Sequence, residues 1–203
     1  MNSLKTVIKY ELIRYFLSPL AYVYLVGFLI LSGSLAIYFG NFFMDGNATL
    51  WGLFDYQPWI YLLFIPGISM RSWAEEFHSK SIVQTLTAPI SITDLVWGKF
   101  FAAWLFAIIA IFLTFPFWIT VNILGSPDNG VIVISYLGCF ILAGAMLAIS
   151  QTMSSLTKNP IIALVAAVFV NLLFFWSGFE YVLFWARSLF SDVIVDTIIS
   201  FSV

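Results

Sequence analysis

Residues 70–80, MRSWAEEFHSK, gather Arg71, Glu75, Glu76, His78 and Lys80 in a chain that is only 9% charged, and His78 is its one histidine. Several chemistries use such residues. Glu75-x-x-His78 has the spacing of the Glu and His that hold iron in di-iron helical bundles. That site needs a second such motif and further inward carboxylates, and the chain has neither. Zinc needs several His or Cys ligands, and here one histidine and one distant cysteine, Cys139, are all there is. A Ser-His-Asp arrangement would use His78 as base, but no G-x-S-x-G turn supplies a nucleophile, and no P-loop supplies an ATP site. The expectation is a chain with no catalytic residue, metal or cofactor of its own.

The elements that carry this stretch belong to a membrane protein. The chain is 62% hydrophobic and 19% aromatic over 203 residues, whereas soluble domains are about 45–50% apolar and roughly 25% charged. The reading is an all-α polytopic membrane protein forming one transmembrane domain. A bilayer core of about 30 Å takes roughly 20 apolar residues per helix. Five stretches qualify: 20–39, 54–70, 100–121, 131–150 and 161–178, the second being the shortest. Residues 2–17 precede them with Leu4, Ile8, Leu12 and Tyr15 near one helical face and Lys5 and Lys9 beside it. That pattern suits an interfacial helix, although Glu11 interrupts the apolar face; a first span with a long ragged start is the alternative. The N-terminus lacks the compact apolar core of a signal peptide and reads as part of the mature chain. With a net charge of −2, no nucleic-acid partner is expected.

Orientation follows from the basic residues. If the five spans alternate, Lys5, Lys9, Arg14, Arg71, Lys80, Lys99 and Lys158 share one side, and Arg187 alone lies on the other. This places the N-terminus in the cytoplasm. Within residues 180–203, the stretch from Ser188 to Val203 is too short and too acidic for a convincing sixth span, and 180–203 read as short extracytoplasmic interfacial helices. Local signals mark helix ends: Asn159-Pro160 starts the fifth span, Ser91 to Asp94 reads as a capping box, Pro89 closes the segment before it, and Pro66 and Pro116 should kink the second and third spans. Gly144 and Ala148 form a small-xxx-small pair that permits close helix contact.

The charged stretch admits a plain reading: a polar loop in water, with Glu76 and Lys80 an i,i+4 pair worth a few tenths of a kcal/mol. Two features ask for more. Ile82, Val83, Leu86 and Ala88 interleave with hydroxyls and Gln84 to give a half-polar helix with an apolar edge, as docking surfaces have. SITDLVWGKF then re-enters the membrane with its own cap. Residues 71–99 thus make a rigid elbow between the second and third spans.

This elbow, RSWAEEFHSKSIVQTLTAPISITDLVWGKF from Arg71 to Phe100, resembles the loop after the second span of ABC-2-type transporter permeases, and most of all the gliding-motility-type group. Arg71, Glu75, Glu76, Leu86, Thr87, Pro89, Gly98 and Lys99 stand at the family's pattern positions. The departures are Ser79-Lys80-Ser81 where the family often has a basic-Gly-Thr turn, and Gln84 where it often has Glu. The resemblance implies a six-span permease in the bacterial cytoplasmic membrane, five spans being visible here. Two copies would pair, as a homodimer in the expected case, and two separate ABC ATP-binding subunits would bind ATP and magnesium. Arg71, Glu75, Glu76, Phe77, His78, Lys80, Ile82, Gln84 and Leu86 would form the coupling helix that docks the ATPase, and Pro89, Asp94, Gly98 and Lys99 the re-entry into the third span. An outer accessory protein and membrane lipid are further expected partners. Spans lined by Phe, Leu, Ile, Trp and Ala point away from ions or sugars, towards hydrophobic cargo. The competing reading is a membrane scaffold that converts ATPase strokes into mechanical work without moving a substrate.

Overall fold

The computed structural model describes residues 3–40, 49–87 and 89–177, all of whose regular elements are helical. In chain order they are α1 (Ser3–Leu17), α2 (Pro19–Ser34, continued by a π-helical stretch Leu35–Phe39), α3 (Trp51–Asp55), α4 (Gln57–Ser69), α5 (Ala74–His78), α6 (Ile82–Thr87), α7 (Ile92–Phe112), α8 (Phe115–Leu124), α9 (Asn129–Leu156) and α10 (Pro160–Ser177). The expected outer helices at 180–203 lie outside the described residues.

Among the described residues, four helical segments are long and apolar enough to cross a membrane: Pro19–Phe39, Ile92–Leu124, Asn129–Leu156 and Pro160–Ser177. The remaining expected span, 54–70, is occupied by α4, whose 13 residues reach only about 20 Å at 1.5 Å per residue. Ten of those residues are buried, because α4 is enclosed by α2, α9 and α10. It is therefore a core helix first, with Tyr61 and Ile65 fully enclosed. Phe28 of α2 packs on Phe64 of α4 at 4.5 Å between ring centroids, and α9 touches α4, α7 and α10.

Proline places two of the breaks. Pro19 and Pro116 each occupy the first turn of a new helix, α2 and α8, where the missing N–H is not needed. The third expected span thus divides between α7 and α8 at Leu113 and Thr114, and the Thr114 hydroxyl donates to the Ile111 carbonyl at 2.6 Å. Pro66, by contrast, remains inside α4. At two further helix starts, Ser91 Oγ accepts from the Asp94 amide, the N-cap half of the expected capping box, while the Asp94 carboxylate takes the Ser3 hydroxyl instead of returning to Ser91; Asn159 Oδ1 accepts from the Ile161 amide. Gly144 lies under Trp104, whose Nε1 would stand 3.0 Å from an added Cβ; the indole donates to the Phe140 carbonyl at 2.9 Å. Ala148 is exposed and takes no part in that contact.

α7 and α8 together run 33 residues, roughly 50 Å, well over the ~30 Å of a hydrocarbon core. Thr93, Asp94 and Lys99 put the surplus at the N-terminal foot of α7. α1 packs along that foot in parallel register. Ser3 donates a hydrogen bond to Asp94, Val7 fills the space a side chain at Gly98 would need, Glu11 meets Lys99, and Tyr15 stacks on Phe106 at 5.3 Å.

Candidate functional site

At the foot of α7, Lys99 is 1% exposed. Its ammonium donates to Glu11 Oε1 at 2.7 Å, Glu76 Oε1 at 2.5 Å and the Ser72 carbonyl at 3.2 Å. All three N–H donors are thereby engaged. The Trp73 ring centroid lies 5.2 Å away, close enough for a cation–π contribution of about 1–2 kcal/mol. Glu11 and Glu76 are themselves 7% and 4% exposed. A buried lysine is tolerable only when paired and hydrogen-bonded, and this one is held by α1 and by the elbow at once.

A second, more exposed tier surrounds the pair. Arg14 Nη1 donates to Glu76 Oε1 at 3.0 Å and lies 3.8 Å from Glu11. Glu75 sits 3.9 Å from both Arg14 and Arg71. Three carboxylates, Glu11, Glu75 and Glu76, thus balance three cations, Arg14, Arg71 and Lys99. Burial opposes the charge on Arg14, but Glu11, Glu76 and Glu75 outweigh it, and its pKa is raised above the usual guanidinium value.

The elbow has another anchor. The short helix α5 has Trp73 at its N-cap position, which supplies no side-chain cap, so the first amides need partners. Ser154, near the end of α9, supplies them. Its hydroxyl oxygen accepts from the Trp73 and Ala74 amides, each at 3.2 Å, and donates to the Met70 carbonyl at 3.1 Å. The helix is capped in trans by a side chain about 80 positions away.

The sequence-predicted elbow residues separate into two groups. Glu76 turns inward, which corrects its expected place on the docking face and equally the plain reading that pairs it with Lys80: the buried ammonium of Lys99 outcompetes an exposed one. Gly98 and Lys99 are buried too, and Asp94 takes the Ser3 hydroxyl. Arg71, His78, Lys80 and Pro89 are exposed, while Glu75, Phe77 and Ile82 are half-buried. Gln84 and Leu86 belong to α6. Among the residues whose burial is described, the exposed apolar edge includes Val83, Ile90 and Ile92, at 61%, 36% and 68% exposure. Lys80 joins α5 to α6 at φ 60°, a left-handed conformation that favours glycine.

Glu11, Arg14, Ser72, Trp73 and Ser154 were not singled out in the sequence as site residues. Glu11 had left one signal, a carboxylate on the apolar face of α1. Ser154 left none. Among the described residues, no group of His, Cys, Asp and Glu is placed to hold a metal ion.

The architecture defines a helical bundle with several segments able to span a membrane, the character of a multi-pass membrane protein. No family model, curated protein or solved structure matches the chain.

Proposed function

We propose that this chain is the membrane subunit of an ABC transporter of the ABC-2 type, driven by separate ATP-hydrolysing subunits. The observation that carries the reading is the double anchoring of the elbow, through Lys99 to α1 and α7 and through Ser154 to α9. A force on the outer face of α5 and α6 would reach three helices through hydrogen-bonded contacts and not through a slack loop. Bundles rocking as units are a standard way to alternate access. The left-handed Lys80 adds support, since it stands where the resembled family often has glycine.

On this reading the α4 segment, with α3, crosses as the short second span, the elbow and α1 face the cytoplasm, and two copies pair above two ATPases. The docking surface is the exposed set His78, Lys80, Val83, Ile90 and Ile92; Glu76 holds the elbow in place from within. The bundle interior is packed with Ala103, Phe106, Ala107, Ala110 and Leu147, which favours hydrophobic cargo moving between copies or the cargo-free mechanical scaffold. The chain solubilised from its native membrane is expected to bring down an ATP-hydrolysing protein, and His78→Glu with Val83→Asp to release it. A preparation without an ATPase, or an ATPase retained at unchanged turnover by the double variant, overturns the proposal.

A further inference from the structure

A cavity of about 80 Å³ lies beside the ion-pair cluster, where α1 gives way to α2 and α4 gives way to the elbow. Its charged lining is Arg14, Arg71, Glu75 and Glu11; its apolar wall includes Leu20, Ala21 and Ile68. At roughly 10–15 Å³ per water-sized group, it holds on the order of six such groups, about a small headgroup. The apolar wall belongs to α2, one of the helices able to cross a membrane, and to α4 beside it. The cavity therefore stands at the level where apolar helix meets charge.

Glu75 lies 3.9 Å from Arg14 Nη2 and from Arg71 Nε, beyond the ~3.2 Å of a hydrogen bond. Both guanidiniums thus keep donors that Glu75 does not take, and guanidinium forks match phosphate oxygens. Charge balance narrows the ligand further. The cluster already matches three carboxylates with three cations. An anionic phosphate headgroup would add one uncompensated negative charge beside Glu75 and Glu11. A headgroup bearing both a phosphate and a primary ammonium adds none, and its N–H donors suit the half-buried Glu75 carboxylate. A quaternary ammonium balances the charge but has no N–H to give.

We infer that this cavity binds the phosphoethanolamine headgroup of a membrane lipid, its phosphate on Arg14 and Arg71, its ammonium on Glu75 and its glycerol end along Leu20, Ala21 and Ile68. The same chemistry exists in soluble glycerophosphoethanolamine, and the apolar wall favours the lipid.

The test uses the full chain, delipidated in detergent and titrated with short-chain phosphatidylethanolamine, phosphatidylglycerol, phosphatidylcholine or glycerophosphoethanolamine, with binding read by native mass spectrometry. Phosphatidylethanolamine is expected to bind about tenfold more tightly than either other lipid, the size of one charge-assisted hydrogen bond. Arg71→Gln should weaken it about tenfold, and Glu75→Gln should abolish the preference over phosphatidylcholine. Both positions are partly exposed, and neither contacts Lys99 among the described pairs, so the variants test the ligand and not the fold. Equal or tighter binding of phosphatidylglycerol overturns the charge-balance argument. Equal binding of all three lipids, unaffected by Arg71→Gln, reduces the site to unspecific lipid contact. Glycerophosphoethanolamine binding as tightly as the lipid makes the ligand a soluble one.

Discussion

Replacing Lys99 with Met keeps the length and bulk of the side chain and deletes its charge. Two carboxylates, Glu11 and Glu76, then share a buried site with only the half-exposed Arg14 to balance them. At the observed separations of 2.7 and 2.5 Å and an effective dielectric near 20, each pair represents roughly 6 kcal/mol of gross attraction. Desolvation of the three groups offsets most of that. Removing one partner of a buried pair typically costs about 3–5 kcal/mol; Arg14, already donating to Glu76, puts this case near 3. Reversible unfolding of the purified chain in mixed micelles, followed by helical circular dichroism, measures it. The same logic makes the variants non-additive. Glu76→Gln in the Lys99→Met background removes a stranded charge and should recover about 1–2 kcal/mol. A Lys99→Met protein as stable as the parent refutes the hub. So does a double variant whose loss equals the sum of the single ones, because then Lys99 and Glu76 do not interact.

Other outcomes follow from the same geometry. Ser154→Ala leaves the Trp73 and Ala74 amides without their acceptor and should cost about 2–3 kcal/mol; hydrogen exchange should rise at the start of α5 before it rises in α9, and uniform exchange would remove the trans cap. Lys80→Gly relieves the left-handed strain and should leave stability equal or slightly higher, whereas Lys80→Val should lower it by about 1–2 kcal/mol; a tolerated valine would contradict the turn. Single cysteines at positions 128 and 158, in a Cys139→Ala background, flank the 28 residues of α9 and should react with impermeant reagent from opposite faces of sealed vesicles; labelling from one face would end the proposed topology.

Composition and local chemistry settled much of this protein. Apolar runs of span length dictated helices, because a backbone in hydrocarbon must satisfy its own hydrogen bonds. Proline and cap residues fixed where several of them begin, since Pro19, Pro116, Ser91 and Asn159 act within one turn of the chain. At 70–80 the gathering of charge was legible in the sequence, as was the scarcity of histidine and cysteine around it. Its inner half was not legible. Glu76 and Lys80 have the spacing of a surface pair, and only the tertiary structure shows that Lys99, 23 positions on, is closer and drier. Glu11 looked like a flaw in an amphipathic pattern until α7 was laid beside it. Ser154 is one hydroxyl among many on a long helix, and its value comes from two orphan amides that arrive from elsewhere. Charge pairing and trans capping are rewarded by desolvation and proximity in three dimensions, which sequence separation does not encode. Helices and their breaks, being local, were written in the chain; the clamp that unites the elbow with three helices was decided by the fold.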